Sequence, residues 1–169
     1  FEIAGRLYNL NFKKLDNVEV FHPDVNVYEV TEENIHIGLL YIDLFPRSTK
    51  KSGAWMNELS SQGLFKGNIE RPHVTLTCNL TKPTANAPSL LTLGEVETVF
   101  HEFGHCLHGL LSDCTYKSIG GTSVKWDFVE LPSQVMENWV TEKKALDLFA
   151  KHYKKNSVPS LWYSKIACR

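Results

Sequence analysis

The segment HEFGH, residues 101–105, places His101 and His105 on either side of the dipeptide that follows Glu102. On a helix this spacing sets two imidazoles one turn apart on the same face, which suits two of the four tetrahedral positions of zinc. Glu102 would then lie about 100° round from His101 and about 60° from His105, beside a bound metal and not aimed at it. That offset suits a general base that takes a proton from a metal-bound water as the water attacks a carbonyl. A catalytic zinc also needs a third protein ligand. The metzincin continuation requires glycine at 108 and histidine at 111, where His108 and Leu111 stand, so that class is excluded. The third ligand is then a downstream carboxylate. Glu130 and Glu137 are both candidates, and spacing leaves the choice open with a slight lean to Glu130.

These residues need elements to hold them. Thr92-Leu93-Gly94-Glu95 has the form of a capping box and predicts a helix start. Beyond it Val96, Val99, Phe100, Phe103, Leu107, Leu110 and Leu111 fall in a sector of about 120°, a core-facing stripe. His101, His105 and His108 lie opposite the stripe, and Cys106 lies toward it as a buried thiol. A second helical pattern runs from Asp127 to Lys154, with Pro132 near its start, where a missing amide costs least. Glu130, Gln134, Glu137 and Thr141 share one face of it.

The chain before residue 91 has a period of two. Residues 25–43 read as a hairpin around Thr31-Glu32-Glu33-Asn34, and Val74 to Cys78 as a further strand. His73 is expected to make a structural hydrogen bond, and the 74–78 strand could offer an edge to an extended peptide. Pro46 to Gly53 reads as a basic loop, Gly53 to Met56 as a short apolar island, and Ser60 to Arg71 as irregular. The expected class is α+β, with a small antiparallel sheet in the strand- and loop-rich residues 1–90 and a helical metal-binding part in 91–169.

Composition narrows the partners. The 169 residues are 43% hydrophobic and 22% charged, enough for one globular core. The formal charge of −1, from 18 basic and 19 acidic residues, gives no field that favours nucleic acid or an anionic membrane. No apolar run approaches the roughly 18 residues that a membrane span needs. Cys78, Cys106, Cys114 and Cys168 contain no C-x-x-C pair and are too sparse for a disulfide framework, which points to reduced thiols and a cytoplasmic setting. Asn79-Leu80-Thr81 fits the glycosylation triplet, which carries no weight without a secretory context.

The stretches TLGEVETVFHEFGHCLHGLL and GGTSVKWDFVELPSQVMENW closely resemble the thimet oligopeptidase family of zinc metallopeptidases, which includes oligopeptidase A and bacterial peptidyl-dipeptidases. VFHPDVNVYEV, GLLYIDLFPRSTKKSGAWM and NLTKPT resemble family segments in the same order, so the resemblance covers nearly the whole chain. RPHVTLTCNLTKPT looks most like the peptidyl-dipeptidase members. The resemblance implies a mainly helical, zincin-like catalytic core that hydrolyses short oligopeptides with one Zn²⁺ per chain. It assigns His101, His105 and Glu130 as metal ligands, Glu102 as general base, and Glu137 as a residue that orients an imidazole. His108 is then left to support or packing.

Family members are several times longer and carry, well past the second helix, a histidine- and tyrosine-bearing loop that binds substrate and stabilises the oxyanion. The expectation is therefore that residues 1–169 are a fragment of a catalytic domain, with the metal half of the site present and the oxyanion half absent. Loss of an oxyanion donor typically costs about 10² to 10³ in turnover. The alternative to an active peptidase is a zinc-holding fragment that serves as a structural or interaction module, partnered by the remaining parts of the parent protein.

Overall fold

The computed structural model describes residues 1–154, so Cys168 lies outside the described residues. A short helix α1 (Glu2–Tyr8) turns through Asn9, at φ 55°, into strand β1 (Leu10–Leu15). Strands β2 (Asn26–Glu32) and β3 (Ile35–Asp43) form the expected hairpin. Its two-residue turn, Glu33-Asn34, has φ of 48° and 67°, the positive pair that suits the twist of the flanking strands. The apolar island proves to be the start of β4 (Trp55–Ser60), and the stretch read as irregular holds a second hairpin, β5 (Gly63–Phe65) with β6 (Asn68–Glu70). Strand β7 (His73–Thr77) follows.

The main sheet has the order β1-β2-β3-β7-β4. It is mixed and not wholly antiparallel, because β3 and β7 run parallel, with Leu39 opposite His73 and Asp43 opposite Thr77. The reason is the crossover. The chain leaves β3, lays β4 at the outside, makes the β5–β6 hairpin, and returns between β3 and β4 in the direction of β3. Alternation of apolar residues has the same period in either direction, so it carries no sign of this. The same insertion makes β7 an interior strand. The free edge beside the later helices belongs to β4, not to the 74–78 strand, and the His73 ring packs beside Tyr41, 6.3 Å between centroids.

Helix α2 (Leu93–Leu110) begins at Thr92 with the full capping box. The Glu95 amide donates to Thr92 Oγ1 at 3.3 Å, and the Thr92 amide to Glu95 Oε2 at 2.7 Å. Its stripe packs on one face of the sheet, where Phe103, Cys106, Leu107 and Leu110 meet Val30, Leu40, Val74 and Leu76 in one buried cluster. Full burial of each large apolar side chain contributes roughly 1.5–3 kcal/mol.

The second helical pattern is broken into pieces: α3 (Trp126–Val129), α4 (Leu131–Glu137), a 3-10 turn at Asn138–Val140, and α5 (Lys143–Phe149). Pro132 is the cause of the first break, since it has no amide to give the carbonyl one turn back and its ring crowds that carbonyl. Glu130, at φ −84° and ψ −9°, is left as the junction residue between α3 and α4.

Candidate metal centre

The histidine pair stands on α2, opposite the stripe, with ring centroids 4.9 Å apart and planes at 83°. From the junction, the Glu130 side chain reaches both rings. Its Oε2 lies 3.3 Å from His101 Nε2 and 3.1 Å from His105 Nε2. Among the described residues, His101, His105 and Glu130 are the group whose ligand atoms all fall within 4.8 Å of one another. A tetrahedron with bonds of about 2.0–2.1 Å has edges of about 3.3–3.4 Å, so the two measured separations suit a zinc-sized ion.

Tautomer chemistry supports the same fit. His101 Nδ1 lies 2.5 Å from Glu137 Oε1, a contact that requires the proton on Nδ1 and leaves Nε2 with its lone pair toward Glu130. That nitrogen and the carboxylate oxygen, 3.3 Å apart, repel unless a proton or a cation stands between them. Glu130 and Glu137, equivalent by spacing on one continuous helix, thus meet different nitrogens of the same ring. Ser133, fully buried and without a signal in the sequence, holds Oγ 2.8 Å from both Glu130 Oε2 and the Glu130 carbonyl oxygen, with one hydroxyl proton to share between them, and so restrains the carboxylate.

Close approach of α4 to α2 is what brings Glu130 in. It depends on Gly104, where a Cβ would lie 2.5 Å from Ser133 Cα and 2.8 Å from the Pro132 carbonyl oxygen.

Glu102 is buried, 8% exposed, and not on an open polar face. Burial holds its carboxyl above the ordinary range; His101 opposes this, the Glu130 charge adds to it, and a backbone hydrogen bond from Met56 opposes it. A carboxyl so placed takes a proton more readily than one in water. It shares a cavity of about 400 Å³ with His101, His105, Glu130, Trp55, Met56, Thr122 and the 90% exposed Trp126.

The loop that leads into Trp55 is clamped from inside, which its basic composition did not suggest. Asp43, 2% exposed, accepts from Arg47 at 2.8 and 2.9 Å and from Lys50 at 3.0 Å, and Lys50 also caps the Phe45 carbonyl. The Asn79 amide donates to the carbonyls of Lys51 and Gly53 at 2.8 and 2.7 Å, so that side chain is a clamp.

His108 is not part of the ligand group. Its ring meets Phe128 edge-on at 6.1 Å. Burial lowers the pKa of His108 and of His73 below the ordinary 6.5. In the unfolded chain both protonate from about that value downward, while in the folded chain they resist, so acid favours unfolding. In the presence of a chelator, the urea midpoint is therefore expected to fall between about pH 7.5 and 5.5. His73→Gln combined with His108→Gln should flatten that slope; an unchanged slope in the double variant would refute the assignment.

A mixed sheet is backed by a helix with H-E-x-x-H, and a carboxylate delivered from the next helical segment completes a group that could hold a metal ion. Residues 1–167 match the model of Peptidase family M3, and the chain belongs to that family. It is 43% identical over 156 residues to oligopeptidase A of Escherichia coli (strain K12), a match that covers 90% of this chain and 23% of that protein. The dipeptidyl carboxypeptidase of the same organism is 40% identical over 154 residues, 90% of this chain and 22% of that protein. A thimet-like oligopeptidase of Dictyostelium discoideum is 39% identical over 162 residues, with 93% and 24% covered. The chain thus spans about a quarter of the length of these relatives. No helix among the described residues is long and apolar enough to cross a membrane.

Proposed function

We propose that this chain is the metal-holding part of a zinc metallopeptidase catalytic domain that hydrolyses peptide bonds of short oligopeptides. The convergence of His101, His105 and Glu130, with Glu102 beside them, carries this reading. When bound there, one Zn²⁺ supplies Lewis acidity that polarises a carbonyl and acidifies a water. The residues do the rest. Glu102 takes the proton of the attacking water on its carboxylate and passes it to the departing amine nitrogen. Glu137 and Ser133 hold the His101 ring and the Glu130 carboxylate in place. The outer edge of β4, an edge strand among the described residues that enters the cavity through Trp55 and Met56, offers an extended peptide backbone groups other than the one Glu102 holds at Met56.

Relatives named oligopeptidase A and dipeptidyl carboxypeptidase support either internal cleavage or release of dipeptides. Free thiols at Cys78, Cys106 and Cys114 support a cytoplasmic setting. The share of its relatives that the chain covers favours a second reading, a fragment that holds zinc but turns over no substrate until the remaining parts of the parent protein complete the cleft.

Metal analysis and an assay on a short quenched peptide, run on this chain and on the protein at full family length, test both. One zinc per chain, lost in Glu130→Ala, with cleavage by the longer protein is expected. Metal retained by Glu130→Ala at wild-type affinity would overturn the ligand assignment. One zinc per chain with cleavage by the longer protein and none by this chain would favour the second reading, and no cleavage by either form would overturn both.

A further inference from the structure

Glu58 lies on β4 and is not one of the ligand group, and its carboxylate joins three parts of the structure. Glu58 Oε1 accepts from the Thr122 amide at 3.2 Å and from Thr122 Oγ1 at 3.3 Å. The loop it grips connects α2, with both histidines, to α3, which delivers Glu130. Two glycines make room for the carboxylate. A Cβ at Gly121, whose φ is +54°, would collide with Glu58 Oε1, and one at Gly109 on α2 would lie 3.3 Å from the same atom. The Gly121 amide is fixed from the other side by Ser112 Oγ at 3.0 Å. Thr122 in turn lines the cavity that holds His101, Glu102 and Glu130. Trp55 and Met56, on the strand that carries Glu58, line the same cavity.

From this geometry we infer that Glu58 is a positioning residue for peptide binding: its carboxylate fastens the Gly120–Thr122 loop to the β4 edge and so sets the width of the cleft that receives substrate. The inference rests on the peptidase reading above. The work is that of a double acceptor and not of a charge, so glutamine, which keeps a carbonyl oxygen at the same reach, can do it. Alanine cannot, and leaves the Thr122 amide and hydroxyl without a partner.

The test uses the protein at full family length, with Glu58→Ala, Glu58→Gln and wild type compared in three measurements. Glu58→Ala is expected to raise KM for a short quenched peptide about tenfold with kcat within about twofold, the pattern of lost binding that ground and transition states share. It should also speed hydrogen exchange at the Thr122 amide by about tenfold or more and leave one metal per chain. Glu58→Gln should restore both KM and protection. Unchanged KM in Glu58→Ala would overturn the inference, as would a Glu58→Gln variant that behaves like alanine. Absence of cleavage by the wild type would instead defeat the peptidase reading, and amide exchange would then decide the clamp alone.

Discussion

Replacement of Glu102 by glutamine in the full-length protein is expected to lower kcat for a short peptide by about 10²-fold or more, the usual scale for a lost general base. The substitution is nearly isosteric. The amide side chain keeps an oxygen for the Met56 backbone and leaves His101, His105 and Glu130 in place, so metal content and KM should stay close to wild type. The loss therefore isolates proton transfer from binding. A fall of less than about tenfold, with one metal still bound, would show that another group takes the proton and that burial of Glu102 serves packing.

The second large effect is expected from a residue that touches no metal. Gly104→Ala places a methyl group 2.5 Å from Ser133 Cα, 2.8 Å from the Pro132 oxygen and 3.0 Å from the Ser133 nitrogen. All three are backbone atoms, so no side chain can swing aside and α4 must move off α2. Overpacking of this kind typically costs about 1–3 kcal/mol. The junction moves with α4, and with it Glu130 and its Ser133 support. Metal affinity should fall by about 10- to 100-fold, as for other losses of ligand support. Gly94→Ala is the control, since a Cβ there meets nothing within 4 Å. It should leave affinity unchanged and stability within about 1 kcal/mol. Equal affinity in both variants, measured by competition with a chromogenic chelator, would refute the packing argument.

Helix α2 was legible in full because three independent signals coincide on it: a capping box at Thr92, an apolar stripe, and histidines on the opposite face. The β2–β3 hairpin was legible for a similar reason, two alternating runs around a polar turn. What could not be read is what depends on direction or on distant partners. Alternation does not distinguish a parallel neighbour from an antiparallel one, so the β3–β7 pair and the interior place of β7 were hidden. α1 and β1 left no clear pattern because Glu2 to Leu15 mixes charged residues among the apolar ones.

The choice between Glu130 and Glu137 was hidden for a different reason. It assumed one unbroken helix, on which both share a face, whereas Pro132 ends that continuity and sends them to opposite nitrogens of the same imidazole. Ser133 and Glu58 had no signal at all. Glu58 finds its partner 64 residues away, and small or charged side chains in such pairs leave no periodic trace.

The ligand set sits on a short span of chain. His101 and Glu130 are separated by a single connection, and Glu130 is held at a junction between helices and not inside one. A cation gripped by all three therefore acts as a removable crosslink. It closes a modest loop of the unfolded chain, at an entropic cost that grows only slowly with loop length. Its binding free energy adds to the folded state alone. A cation bound there would tie the stability of the core that α2 shares with the sheet to the free concentration of the ion.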